Sequence, residues 1–360
     1  MDLAQYMSRS IEELVQNVFK ASLSNPKESA FILKYMGYSK KAAKKRSRLE
    51  AEGRHVPPFL IASIAADCNL FCKGCYARAN QSCGDGGSHS QLTCAQWKKI
   101  FGEAAELGIA FILLAGGEPL LRSDVIEAAS GFPQIVFPVF TNGTIMDDEY
   151  LDLFNKSRNL VPVISLEGDK SRTDGRRGNG IYDKLTAAMD RLYSKRILFG
   201  TSITVTAENL DEVTAPSFVS DIQSKGCGLV FYVEYVPADA STAQLVLDSS
   251  QRRTFEERLQ ALRQEHSNMV FLAFPGDEKH MGGCLAAGRG FFHINASGGA
   301  EPCPFSPYSD ISLKEHTLME ALQSPLFRRL ESEGLLREEH TGGCVLFEQQ
   351  ARVSGLLRPL

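Results

Sequence analysis

The sequence predicts an α/β fold: a partial (β/α)6 barrel of the TIM type, followed by a cysteine-containing C-terminal domain. Two observations predict it. First, six apolar stretches alternate with helical ones: FLIASIA (59–65), AFILLAG (110–116), QIVFPVFT (134–141), VPVISL (161–166), GTSITVT (200–206) and LVFYVEYV (229–236). Such alternation favours parallel βαβ units. Second, a polar or glycine-rich feature follows each of the first four stretches. These are Cys68, then Gly116-Gly117-Glu118-Pro119, then Thr141-Asn142-Gly143, then Ser165 and Glu167. In α/β barrels reactive groups gather at the C-terminal ends of the strands.

Four units follow in order. Residues 1–56 read as a helical preface, with Ile11, Leu14, Val15 and Phe19 near helical spacing. The basic run Lys40, Lys41, Lys44, Lys45, Arg46 and Arg48 reads as a solvated helix face, and Pro57-Pro58 ends the helical pattern. Residues 57–248 hold the six βα units. Thr93 with Gln96 forms a capping box, and Gly108 stops that helix. Ile181, Leu185, Ala188 and Leu192 form a buried stripe. Pro133 and Pro138 sit awkwardly for a central strand. The insertion Asn80 to Ser90 is rich in glycine and serine and reads as a mobile loop. Residues 249–274 connect through a helix and a strand, and 275–360 form the cysteine-bearing tail.

Composition narrows the function classes. The chain has 360 residues, 43% hydrophobic and 23% charged, with a net charge of −4. That is ordinary for a soluble globular protein and provides no global field for nucleic acid. The longest apolar run, Phe59 to Ala66, is too short to span a bilayer. The start Met1-Asp2-Leu3 lacks a basic-then-apolar signal pattern. The nine cysteines are therefore expected to stay reduced, in the cytoplasm, as metal or redox groups.

Cys68, Cys72 and Cys75 are spaced CxxxCxxC. Three thiolates this close hold three irons of a [4Fe–4S] cube and leave the fourth iron open to a small chelating molecule, since full protein ligation takes four cysteines. Taken alone, the spacing also fits a zinc site lacking one ligand. With the GGEP turn downstream, the chain resembles the radical S-adenosylmethionine (SAM) enzymes. The resemblance covers roughly residues 59–350. It implies that the open iron chelates SAM, which is cleaved to a 5′-deoxyadenosyl radical that takes hydrogen from a substrate. The residue before the third cysteine is often aromatic in that family; here it is Gly74, with Tyr76 just after Cys75.

The resemblance implies residue roles. Gly116, Gly117, Glu118 and Pro119 would bind the SAM amino group. Ser165 and Arg177 are candidates for its carboxylate, Glu167 for the ribose hydroxyls, and Ile203 for packing on adenine, with Tyr76 also assigned to the cofactor. Glu234 is a reading from the residues. Strand alternation puts it on one face with Tyr232, with Phe231, Val233 and Tyr235 on the other. A carboxylate under flanking helices is costly, so Glu234 is expected to face the cavity, as a catalytic or contact residue, its alternative being a strand-end salt bridge.

The tail pattern Cys284-X13-Gly298-X4-Cys303, with Cys344 later, spans a predicted hairpin. It resembles the opening of the SPASM and twitch extensions of radical SAM enzymes. Three thiolates cannot ligate two clusters. One auxiliary [4Fe–4S] cluster is the economical expectation, its fourth ligand open or drawn from Cys227, Asp277, His280, water or substrate. A zinc site of the Cys3His type is the alternative. Cys83 and Cys94 have no partner at ligand spacing. The expected function is a radical SAM oxidoreductase or maturase acting on a small molecule or a peptide, with a flavodoxin or ferredoxin as reductant. The rival class is a non-enzymatic metal module binding protein, or nucleic acid through residues 40–48.

Overall fold

The structure is a computed structural model, and it describes residues 25–84, 90–237, 240–274, 282–338 and 344–357, together with helical residues 7, 11, 12, 15, 16 and 18. Leu14, Phe19, Asp277, His280 and residues 85–89 of the glycine-rich insertion lie outside the described residues.

One sheet organises the chain. Its strands are β1 (Phe59–Ala65), β2 (Phe111–Gly116), β3 (Phe137–Thr141), β4 (Leu160–Leu166), β5 (Gly200–Val205), β6 (Leu229–Glu234), β7 (Val270–Phe274), β8 (His293–Ile294) and β9 (Ala300–Glu301). Their order is β7-β6-β5-β4-β3-β2-β1-β8-β9. The first eight pair in parallel and β8–β9 is an antiparallel hairpin. The six expected strands are therefore extended at both edges. The connecting strand adds to β6, and the tail hairpin adds to β1.

Helices cover the outer face, for the reason the sequence predicts. Thr93 caps the helix Cys94–Leu107 through a capping box with Gln96, and Gly108 ends it in a left-handed conformation. Pro138 does lie inside β3, yet β3 pairs with β2 through only Leu114 and Val139. Proline has no N–H to give, and the ladder is thin where it stands.

The preface helix Pro26–Ala51 closes the base of the barrel. Ile32 and Tyr35 form a buried cluster with Ile11 and Val15, against Phe111 and Val136 at the strand starts. The Tyr35 hydroxyl donates to Ala110 O at 2.8 Å. Arg46, part of the basic run, is buried and donates to Gly108 O at 2.5 Å, so that run is not wholly solvated. The tail is locked to the barrel by buried polar groups. Ser63 Oγ of β1 and His293 Nε2 of β8 are 2.7 Å apart, and His293 Nδ1 lies 2.7 Å from Glu301 Oε2. Asn295 donates to the other Glu301 oxygen at 2.6 Å. Every member of this chain has a partner, which is what buried polar groups require.

Candidate active site

A cavity of about 560 Å³ lies within the barrel. Phe59, Phe111, Phe140, Phe231, Phe274 and Phe291 line it, and Cys68, Cys72 and Cys75 stand at its rim. The cysteine loop leaves β1 and is anchored from several elements. Gly117 N donates to Ala65 O at 2.7 Å, and Glu118 N to Asp67 O at 2.8 Å. A Cβ on Gly117 would stand 2.1 Å from Asp67 O, so only glycine lets the two turns approach. Asn142 donates to Asn69 at 2.8 Å and its amide nitrogen lies 4.0 Å from Cys68 Sγ. Lys73 N donates to Arg176 O at 2.9 Å.

Electrostatics at the loop favour the thiolate of Cys68. The Cys68 thiol is pulled down to about 6, chiefly by a hydrogen bond from Cys83, with the Leu70 amide and Arg78 adding to it against burial. The Cys83 thiol is correspondingly pushed up. Burial pushes Cys72 up, while Arg177 and Arg176 oppose it. Thiolate is the metal-ligating form. Cys83 is the residue that sequence spacing gave no means to place here. It folds back because Cys83 N bonds to Ala77 O and Gly84 N to Ala66 O.

The expected cofactor residues fall into distinct positions. Gly116, Gly117, Glu118 and Ser165 line the cavity with Arg177. Glu118 turns its carboxylate inward, where it accepts from Thr141 Oγ1 (2.6 Å), Asn142 N (2.7 Å) and Leu120 N (3.0 Å). Burial pushes that carboxyl up to about 7 against those three hydrogen bonds. Pro119 opens the short turn Pro119–Leu121 and is buried. Glu167 is buried behind the arginines. Its Oε1 accepts from Arg176 Nη1 at 2.6 Å and Arg177 Nε at 2.9 Å, while Oε2 has no hydrogen-bond partner among the described residues. Arg177 Nη1 reaches 3.9 Å from Cys72 Sγ. Tyr76 packs its ring edge-on to Phe305 at 5.1 Å and stands near both Cys75 and Cys303.

One expectation is corrected and one is met in part. Tyr232 faces the outer helices, with its hydroxyl on Val213 O at 2.7 Å and its ring against Phe255. Glu234 shares that face, and its carboxylate lies 3.7 Å from Arg252 on the outer helix Ser249–Glu265. The strand-end ion pair holds this carboxylate, while the residue also lines the cavity. Phe231, Val233 and Tyr235 face inward instead, because an apolar barrel interior claims the bulkier apolar face. Ile203 is likewise fully buried on the outer face of β5, and the cavity-lining residues of that strand are Ser202 and Thr204.

In the tail, Cys284, Cys303 and Cys344 are all buried and adjacent. Burial pushes the Cys303 thiol up, with Cys344 and Cys284 beside it. Cys227 lies elsewhere, in the barrel wall, donating to Leu229 O at 3.1 Å. Cys94 donates to Asp124 O at 3.2 Å. Among the described residues no three His, Cys, Asp or Glu side chains surround a point for a single metal ion. Thiolates on separate corners of a cube bind different irons and need no such point.

Residues 63–215 match the model of the radical SAM superfamily. The chain is 25% identical over 325 residues to the AdoMet-dependent heme synthase of Methanosarcina barkeri, covering 83% of this chain and 90% of that protein. It is 30% identical over 165 residues to the sporulation killing factor maturation protein SkfB of Bacillus subtilis, covering 44% of this chain and 38% of that one. Streptococcus suis SuiB bound to S-adenosylmethionine shares the fold, with a TM-score of 0.66 and 17% identity over 82% of this chain and 72% of that one. Residues 63–215 of this chain form a domain of the radical SAM superfamily. The chain is a radical SAM enzyme, with a [4Fe–4S] cluster and SAM as cofactors. The site fits them: three soft sulfur donors on one loop, nitrogen donors near two of the sulfurs, and a polar rim above an apolar cavity. Among the described residues no helix is long and apolar enough to cross a membrane.

Proposed function

We propose that this radical SAM enzyme oxidises a small molecule with a large nonpolar face, held between the barrel rim and the cysteine-bearing tail. The observation that carries this reading is the phenylalanine-lined cavity opening beside Cys68, Cys72 and Cys75. Such a wall rewards burial of apolar surface and penalises an unpaired polar backbone. The likeness to a heme synthase along most of both chains supports a substrate of the tetrapyrrole class. A peptide is the second reading, supported by the likeness to the SkfB maturation protein over part of the chain.

When bound, the cluster and SAM supply a 5′-deoxyadenosyl radical that takes a hydrogen atom from substrate. The chain's own residues then have these tasks. Cys68, Cys72 and Cys75 anchor the cluster. The Gly116–Gly117 turn and Ser165 shape the rim for the methionine part of SAM. Arg177, held by Glu167, presents Nη1 toward Cys72 and the cofactor carboxylate. Cys284, Cys303 and Cys344 hold one auxiliary cluster, and Tyr76 with Phe305 separates the two cysteine groups. A flavodoxin or ferredoxin delivers electrons at the loop, where Phe71 is 67% exposed and Arg78 stacks on it at 3.9 Å.

Iron and sulfide analysis of a Cys284→Ala, Cys303→Ala, Cys344→Ala protein tests the auxiliary site. The variant is expected to retain about one cluster and to cleave SAM with dithionite. Unchanged iron content would overturn that assignment. Titration with iron coproporphyrin, in the presence of SAM, is expected to give a saturable Soret shift. Its absence from cluster-replete protein would favour the peptide reading.

A further inference from the structure

We propose that Cys83, outside the CxxxCxxC spacing, is a positioning residue that sets the reduction potential of the cluster at Cys68, Cys72 and Cys75. Its thiol donates a hydrogen bond to the Cys68 sulfur and makes that cluster easier to reduce. The inference rests on the radical SAM reading of the site.

Backbone contacts put Cys83 where it is. They fold the segment after the short helix Tyr76–Ala79 back onto the cysteine loop. Cys83 N donates to Ala77 O at 3.0 Å, and Gly84 N donates to Ala66 O at 2.9 Å. Gly84 also pairs with Asp67 in a parallel bridge. Cys68 and Cys83 flank that bridge, and the Cys83 thiol bonds to the Cys68 sulfur. Cys83 is 5% exposed and is not among the described residues that line the cavity, whereas Cys68, Cys72 and Cys75 are. It reaches the sulfur without taking up space where SAM binds. Asn142 approaches the same sulfur, with its amide nitrogen 4.0 Å away. Cys94 and Cys227, by contrast, donate to backbone oxygens at 3.2 and 3.1 Å.

A hydrogen bond to a ligand sulfur draws electron density from it. That stabilises the more negative, reduced form of a cluster and raises its potential. In a buried, low-dielectric setting the effect is stronger than in water. The Cys83 thiol thus eases the electron delivery that precedes SAM cleavage.

The test is a potentiometric titration of anaerobically reconstituted protein, followed by electron paramagnetic resonance, with iron measured on every sample. The signal that changes on adding SAM reports the cluster at the Cys68 loop. Cys83→Ala is expected to lower its reduced-to-oxidised ratio at a fixed potential about fivefold, roughly 40 mV for one electron. Cys83→Ser keeps a donor and should stay within about twofold of wild type. An unchanged potential in iron-replete Cys83→Ala protein overturns the proposal. So does a Cys83→Ser potential as low as that of Cys83→Ala, because volume and not the hydrogen bond would then set it. Loss of one cluster's iron from both variants overturns it as well, since Cys83 would then be needed to hold the cluster. Wild-type signals that ignore SAM overturn the family-based reading instead.

Discussion

Cys68, Cys72 and Cys75 are half-buried on a loop crossed by Arg78, Arg176, Arg177 and Asn142, whereas Cys284, Cys303 and Cys344 are buried together among apolar groups. The physics of the two groups differs accordingly. Guanidinium and amide N–H groups near the first set favour negative sulfur and leave room for an anionic carboxylate. In the second, burial raises Cys303 with no arginine among its causes. Thiolates there form only if a metal takes them. The first group is partly open to solvent and the second is closed off. We propose SAM chemistry for the first group and a fixed auxiliary role for the second.

The largest expected effect separates the two groups completely. Replacing Cys68, Cys72 and Cys75 with alanine should abolish SAM cleavage while leaving about one cluster in the tail. Iron quantification and 5′-deoxyadenosine release by chromatography measure the two outcomes independently. Full iron retention by that protein would break the comparison.

A smaller effect tests the charge around the first group. Glu167→Gln removes the carboxylate that holds both Arg176 and Arg177. Charge-assisted bonds of this kind contribute about 1.5–3 kcal/mol. With the fork released, the KM for SAM in the cleavage reaction should rise about tenfold or more. Iron bound at the cysteine loop should be unchanged. A KM equal to wild type would mean that Glu167 braces the fold and does not position Arg177 for the cofactor.

Much of this was legible in the sequence, for a definable reason. Strand–helix alternation and the C-terminal placement of Cys68, Gly117, Asn142 and Ser165 are local patterns, and the sheet follows them. The hairpin around Gly298 was readable from its turn chemistry and became β8–β9. What failed was side-chain direction. Ile203 was placed on the wrong face, because alternation fixes which residues share a face but not which face is inside. In a barrel both sides of a strand are apolar, so a hydrophobic count cannot choose between them. The signal lay in the phenylalanines, since Phe140 and Phe231 meet across the interior at 5.0 Å. Cys83 beside Cys68 and Tyr235 beside Gly74 are contacts between distant or irregular segments, and no periodicity encodes them.

The smallest effect concerns Glu118, which ties the GGEP turn to the end of β3. Its carboxyl is pushed up to about 7 from an ordinary 4.5, first by burial. A folded-state value above the unfolded one means that the folded protein holds the proton more tightly. The stabilisation is full below pH 4.5 and is lost as pH rises through about 7. The slope cannot exceed about 1.4 kcal/mol per pH unit for one proton. Glu118→Gln carries no such proton, so the difference between wild-type and variant unfolding free energies should change across that window and be flat outside it. The variant also sets an amide donor against Asn142 N–H if the carbonyl takes the Oε1 position, a loss that does not vary with pH. Urea titrations of the iron-free proteins at several pH values separate the two contributions. A constant offset alone would mean that Glu118 stays ionised in the fold, and that the turn is held by its hydrogen bonds with no proton involved.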